Sequence, residues 1–196
     1  MNNKSSGTSF LVAVLLTTLS LTISSCSPTA SSGAPAADTP AKKYVFGTSL
    51  GRTGNLGGLA GADTICATHA SAAGLPGTWK AWLSDETTNA IDRIAEVGPW
   101  YLIGTTIVAA TTKASFALSP SAAININENG LNMGSVDYWT GTASGGAKIA
   151  GSTCTSWTTT AGNGATHGQF NTGAWTAGGN VSCAFANTLK LACIQQ

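Results

Sequence analysis

The sequence predicts a single α+β domain, on three observations. Helical spacing is confined to residues 59–94, while strand signals continue to the C-terminus. Charged residues are only 9% of the chain, against a usual ~25%, and glycine numbers 24, a composition of strands and long loops rather than helical bundles. No segment repeats at a solenoid period. The 196 residues give room for one domain and are short for two.

Tyr44–Phe46 reads as a short strand, and residues 47–58 as a Gly/Asn-rich loop. Leu59, Ala62, Cys66, Ala70 and Ala73 recur at three- and four-residue steps, which predicts a helix with one apolar face. Gly74 stands where a glycine stops a helix, with Pro76 just beyond. Trp79–Leu83 is a strand of large apolar residues, and Thr87–Ile94 a second, short helix. Trp100–Ile103 and Thr106–Ala110 form a hairpin turning near Gly104 and Thr105. Residues 111–134 read mostly as loop. Val136–Thr142, Cys154–Trp157 and Thr188–Ile194 read as strands. Between Trp157 and Thr188 periodicity is weak; a loop of that length is functional or tied by disulfides.

The first 25 residues have the layout of an export signal. Lys4 supplies the positive charge, and Phe10–Leu21 is an apolar run too short for a membrane span of ~20 residues. It ends at Ile23-Ser24-Ser25-Cys26, which resembles a bacterial lipobox. That resemblance implies cleavage before Cys26 and acylation of its thiol. The position usually held by leucine is Ile23 here. Each buried acyl CH₂ contributes about 0.8 kcal/mol, so two or three chains anchor stably. Residues 26–43 then form the lipidated cysteine and a Pro/Ser/Ala-rich tether, with a reach of about 20–25 Å. The domain proper spans residues 44–196. Removing Lys4 leaves eight basic and eight acidic residues. Such a balance excludes a nucleic-acid partner and an anionic membrane surface held by charge.

Five cysteines is an odd count for an exported chain. Giving Cys26 to lipid leaves Cys66, Cys154, Cys183 and Cys193. In an oxidising compartment these form two disulfides, in any of three connectivities.

Asn55–Asp85 (NLGGLAGADTICATHASAAGLPGTWKAWLSD), Val136–Gly141 (VDYWTG), Cys154–Trp157 (CTSW) and the closing Cys183…Cys193-Ile194 together resemble the bacterial endostatin-like domain. That family of exported lipoproteins, often described as a domain of unknown function, includes the leptospiral endostatin-like proteins. Ala62–Leu83 is also similar to collagen endostatin. The resemblance implies a C-type-lectin-like fold with nested bridges Cys66–Cys193 and Cys154–Cys183. It does not carry zinc over, because no histidine stands near the domain start. Nor does it carry heparin binding, because Arg52 and Arg93 are the only arginines. Calcium-dependent sugar binding in C-type lectins needs an E-P-N or Q-P-D loop and a W-N-D strand, and this sequence has neither.

Several constellations suggest chemistry. Gly47–Gly51 matches G-x-S-x-G, and with His167 downstream it gives an exported serine hydrolase as an alternative, using Ser49 and His167. A nucleophile elbow needs a helix at once after the serine, however, and a loop follows here. Asp63, Cys66 and His69 fall at i, i+3 and i+6 and could ring a metal, unless Cys66 is oxidised. Asn125, Asn127, Glu128 and Asn129, with Asp137, are the acidic and amide cluster closest to a calcium site. No metal or cofactor is expected. Of the six tryptophans, Trp82, Trp139 and Trp157 read as core. Trp175 in its Gly-rich loop reads as a binding aromatic, with Asn171, Asn180 and Asn127 as polar neighbours on the long loops.

The expectation is a non-catalytic binding module, lipid-anchored in the cell envelope, at the outer membrane or cell surface. The resemblance implies an extracellular protein ligand of matrix or complement-regulator type. A glycan ligand is the alternative. Nothing in the sequence fixes an oligomeric state.

Overall fold

The computed structural model describes residues 41–162, 164–169, 175–185 and 188–196. The leader, Cys26, most of the tether and Asn171 lie outside the described residues. Among the described residues, no helix is long and apolar enough to cross a membrane.

The architecture is mixed α+β. Strand β1 (Lys43–Gly47) leads into helix α1 (Gly58–Ala72), then β2 (Trp79–Ala81), α2 (Ala90–Arg93), β3 (Trp100–Leu102), β4 (Val108–Ala110) and α3 (Lys113–Leu118). The later strands are β5 (Asp137–Trp139), β6 (Ala165–Gln169), β7 (Gly179–Val181) and β8 (Ala192–Gln195). One sheet runs β2-β8-β1-β3-β4, and a smaller one β5-β6-β7. The first and last strands therefore pair antiparallel in mid-sheet, Phe46 opposite Cys193. Strand β1 pairs parallel with β3 on its other side.

The five-stranded sheet is covered on both faces because its residues alternate. Phe46 and Cys193 point into a core with Ala62, Cys66, Trp79, Trp139 and Trp157. Their neighbours Val45 and Ile194 point into a second core with Trp82, Trp100, Phe116, Tyr138 and Trp175. Helix α1 lies on the first face and buries Ala62, Cys66, His69 and Ala70. Ala62, Cys66 and Ala70 are on the apolar stripe read from the sequence; His69 joins it. Gly74 has φ +70°, the left-handed conformation that a glycine supplies at a helix end.

Two disulfides close the fold. Cys66–Cys193 fastens α1 to β8 across 127 residues, and Cys154–Cys183 spans 29. A half-buried ion pair adds a third tie. Asp63 Oδ1 accepts from Arg93 Nη2 at 2.5 Å and from the Ala81 amide at 2.9 Å. Arg93 Nη1 in turn donates to the carbonyls of Ala81 and Leu83. Helix α1, strand β2 and the end of α2 are locked by one charge pair and its hydrogen bonds.

Four local expectations are corrected. Residues 113–118, expected in loop, form α3, started by a capping box in which Thr112 and Ser115 bond each other's backbone amides. Cys154–Trp157, expected as a strand, is a left-handed turn with φ between 49° and 65° at all four residues. The weakly periodic stretch after Trp157 holds β6 and β7. Trp175, expected on an exposed loop, is 1% exposed and packs 5.1 Å from Trp82, ring centre to ring centre. Burying a large ring there outweighs the polar character of its neighbours in sequence.

Candidate functional site

Beyond Gly47, the chain leaves β1 but stays hydrogen-bonded to the segment before β8. The Thr48 amide donates to the Leu191 carbonyl, and Thr48 Oγ1 accepts from the Leu191 amide. Arg52 is pinned through its backbone: its amide donates to the Leu189 carbonyl at 2.7 Å, and its carbonyl accepts from Trp139 Nε1 at 2.8 Å. Ser49 sits between these anchors, half-buried, with its carbonyl taking a 2.6 Å bond from Lys190 Nζ.

Facing this segment is a tight turn at residues 127–131. Asn127 Oδ1 accepts from the amides of Asn129 and Leu131, both at 3.0 Å, which is the Asx geometry of a short polar side chain closing its own turn. Gly130 has φ +78°, where a Cβ would be strained. The Gly47 amide donates to the Ile126 carbonyl at 3.0 Å and holds the turn against the end of β1. Glu128 thereby points at Ser49 and at His69, near the C-terminal end of α1.

The Glu128 carboxylate accepts three hydrogen bonds. Oε1 lies 2.8 Å from His69 Nδ1 and also accepts from the Ser49 hydroxyl; Oε2 accepts from the Ser49 amide at 2.9 Å. Burial alone raises its pKa, but the bonds from Ser49 and His69 outweigh burial and hold it below the ordinary glutamate value. Lys190 is lowered by burial, with Glu128 opposing that shift. Ser49, Leu50, Arg52, Thr68, His69 and Glu128 border a cleft of about 310 Å³, at the small end of ligand pockets. Leu50 stands 61% exposed at its rim.

A family model described as a protein of unknown function, DUF1554, matches residues 49–176. The chain belongs to this family. The match takes in Ser49, His69 and Glu128 of the DUF1554 domain. No curated protein matches the chain.

The DUF1554 site brings together residues that the sequence suggested for three separate chemistries. Ser49 came from the hydrolase pattern, His69 from the helical metal trio and Glu128 from the calcium cluster. Their order differs from that of a nucleophile triad, in which histidine bridges serine and acid. Here the carboxylate bridges serine and histidine, and its lowered pKa makes it a weak base. His167 lies in β6 opposite Trp139 and Gly179, and among the described residues it makes no bond to Ser49. Of the metal trio, Cys66 is oxidised, Asp63 is held by Arg93 and His69 by Glu128. Among the described residues, no group of three or more His, Cys, Asp or Glu could hold a metal.

The expected ligand-contacting residues are placed as follows. Asn127 is 6% exposed and spends its side chain on the turn. Asn180 is exposed in β7 and accepts from Thr166 Oγ1 at 3.0 Å. Trp175 is core, and Asn171 lies outside the described residues. Leu50, Arg52, Leu131 and Lys190 were not anticipated. The signal that could have found the turn was Asn127-Glu128-Asn129-Gly130, an Asx residue two positions ahead of Asn-Gly.

Proposed function

We propose that this DUF1554 protein is a non-catalytic binding module, exported and held in the cell envelope by acylation at Cys26. Its ligand is an extracellular protein of matrix or complement-regulator type, and its domain is endostatin-like within the C-type-lectin-like class. Pairing of the terminal strands and the two nested bridges support that class. Function does not follow from a fold, so the binding face is argued from its own residues.

The observation that carries the reading is a set of exposed aliphatic side chains on the loops beside a cleft that holds Ser49, Arg52, His69 and Glu128. Leu50 and Leu131 are 61% and 64% exposed, and Ile107 is 50% exposed. They stand on three loops at one end of the sheet. Gly47 bonds Ile126, and strands β1 and β3 run parallel, so the β3–β4 turn lies at the same end. A Cβ on Gly130 would stand 4.0 Å from Ile103 Cγ2, which places the 127–131 turn beside that hairpin. Exposed aliphatic residues ringed by polar groups suit a protein surface. A glycan platform would favour an exposed tryptophan, and all six are buried.

The test is a panel of immobilised matrix proteins and complement regulators, probed with the full-length protein. Saturable capture by at least one, lost in a Leu50→Asp/Leu131→Asp variant, supports the reading. Capture that ignores both substitutions removes the face. Labelling by a serine-directed fluorophosphonate that disappears in Ser49→Ala would restore the hydrolase.

A further inference from the structure

We infer that the cleft between the 48–52 segment, helix α1 and the 127–131 turn is a carboxylate pocket, in which Arg52 receives an acidic side chain of the protein partner. The inference rests on the binding face proposed above and names the chemistry that face selects.

Glu128 is already engaged by three donors. Its Oε1 is occupied by Ser49 and His69, its Oε2 by the Ser49 amide, and the residue is only 5% exposed. Lys190 is engaged with the Ser49 carbonyl. Thr68 Oγ1 donates back to the Thr64 carbonyl within the helix. Arg52 differs from all of these. Its backbone is clamped by Leu189 and Trp139, yet among the described residues its guanidinium makes no hydrogen bond or ion pair. From a fixed Cα, an exposed five-donor fork at the cleft wall is free to take a planar anion in two parallel hydrogen bonds.

Charge agrees. Arg52 brings an unpaired positive charge to the cleft lining, whereas the one carboxylate there, Glu128, is already met by its donors. The charge left without a partner is the positive one. Leu50 at the rim, with exposed Leu131 and Ile107 on neighbouring loops, sets the surroundings of the incoming carboxylate: Asp or Glu flanked by apolar residues, rather than a run of acids. A cleft of about 310 Å³ admits one such side chain and its neighbours' first atoms.

Two peptides test this on the ¹⁵N-labelled full-length chain in detergent micelles: acetyl-Leu-Glu-Leu-amide and its Leu-Gln-Leu isostere. The amides of Ser49, Leu50, Arg52 and His69 should shift saturably with the Glu peptide, at an affinity about tenfold above the Gln peptide. Arg52→Gln should erase that preference while the remaining spectrum stays in place, and Arg52→Lys should retain part of it. Equal affinity for the two peptides, no shift with either, or a preference surviving in Arg52→Gln each overturns the pocket. Protein capture on the panel reads out separately: capture that persists in Arg52→Gln, with no carboxylate preference, sinks the pocket and leaves the binding face standing.

Discussion

Glu128 Oε1 and His69 Nδ1 lie 2.8 Å apart across 59 residues of sequence, and the same carboxylate holds the hydroxyl and the amide of Ser49. Three pieces of chain with no local reason to meet, a strand exit, a helix face and an Asx turn, are fixed by one acid. Ser49, His69 and Glu128, so joined, all border the cleft.

Replacing that acid should therefore loosen the site in a graded way. Hydrogen bonds to a charged group contribute about 1.5–3 kcal/mol, and a buried donor left without a partner costs a similar amount. Glu128→Gln keeps the shape but removes the charge, and should lower stability by about 1–2 kcal/mol. Glu128→Ala orphans His69 Nδ1 and the Ser49 amide, and should cost more. Ser49→Ala removes one donor of three and should cost least. Urea unfolding followed by circular dichroism ranks them; a Glu128→Ala variant as stable as the parent contradicts the clamp.

Acid should destabilise the domain through the same group. Glu128 and Glu86 titrate below 4.5, and Asp85 below 3.8. For Glu128, burial opposes the shift and bonds from Ser49 and His69 overcome it. For Glu86 the first cause is the Thr153 hydroxyl; for Asp85 burial opposes and Thr87 and Thr88 overcome it. A carboxyl whose folded pKa is depressed binds fewer protons folded than unfolded, so its contribution is complete above the unfolded value and fades as pH falls through the folded one. The urea midpoint should hold from pH 7 to 5 and drop below about pH 4.5. Glu128→Gln should shallow that drop. A midpoint flat from pH 5 to pH 3 contradicts the assignment.

The bridges should matter unequally. In the chain-entropy model the 127-residue loop contributes about 5 kcal/mol and the 29-residue loop about 3.5 kcal/mol. Cys66→Ala/Cys193→Ala should be more destabilised than Cys154→Ala/Cys183→Ala, although the inner pair also holds the left-handed turn at Cys154–Trp157. Parallel denaturation of both double variants decides the order.

Trp175 should behave as core. Truncating a buried tryptophan to alanine costs about 3–5 kcal/mol. Trp175→Ala should lose near-UV dichroism and stability together, and any loss of capture should track the unfolded fraction. A fully folded Trp175→Ala with selective loss of ligand would return this residue to the binding surface.

Legibility of the sequence followed the range of the forces involved. Strand β1, helix α1 with its Gly74 stop, and the β3–β4 hairpin were readable because their signals are local: a 3.6-residue stripe, a left-handed glycine, two apolar runs about a turn. Helix α3 escaped because its capping box uses Ser115 where Glu or Gln is the usual signal. Strands β6 and β7 escaped because Thr, His, Gly and Asn become strand only by pairing with β5 and each other. The Cys154–Trp157 turn holds four non-glycine residues left-handed, at a cost of roughly 1–2 kcal/mol each that no propensity anticipates. The site was legible as parts but not as a whole. Ser49, His69 and Glu128 each drew attention for a different chemistry, and only the fold brings them together.

The most direct measurement is hydrogen–deuterium exchange on the full-length protein with and without a captured partner from the panel. Slowed exchange at residues 48–52, 103–107 and 126–132, absent with Leu50→Asp/Leu131→Asp, is the expected footprint. Slowing confined to residues 159–182, with those three segments unchanged, would contradict it and move the binding face to the other sheet.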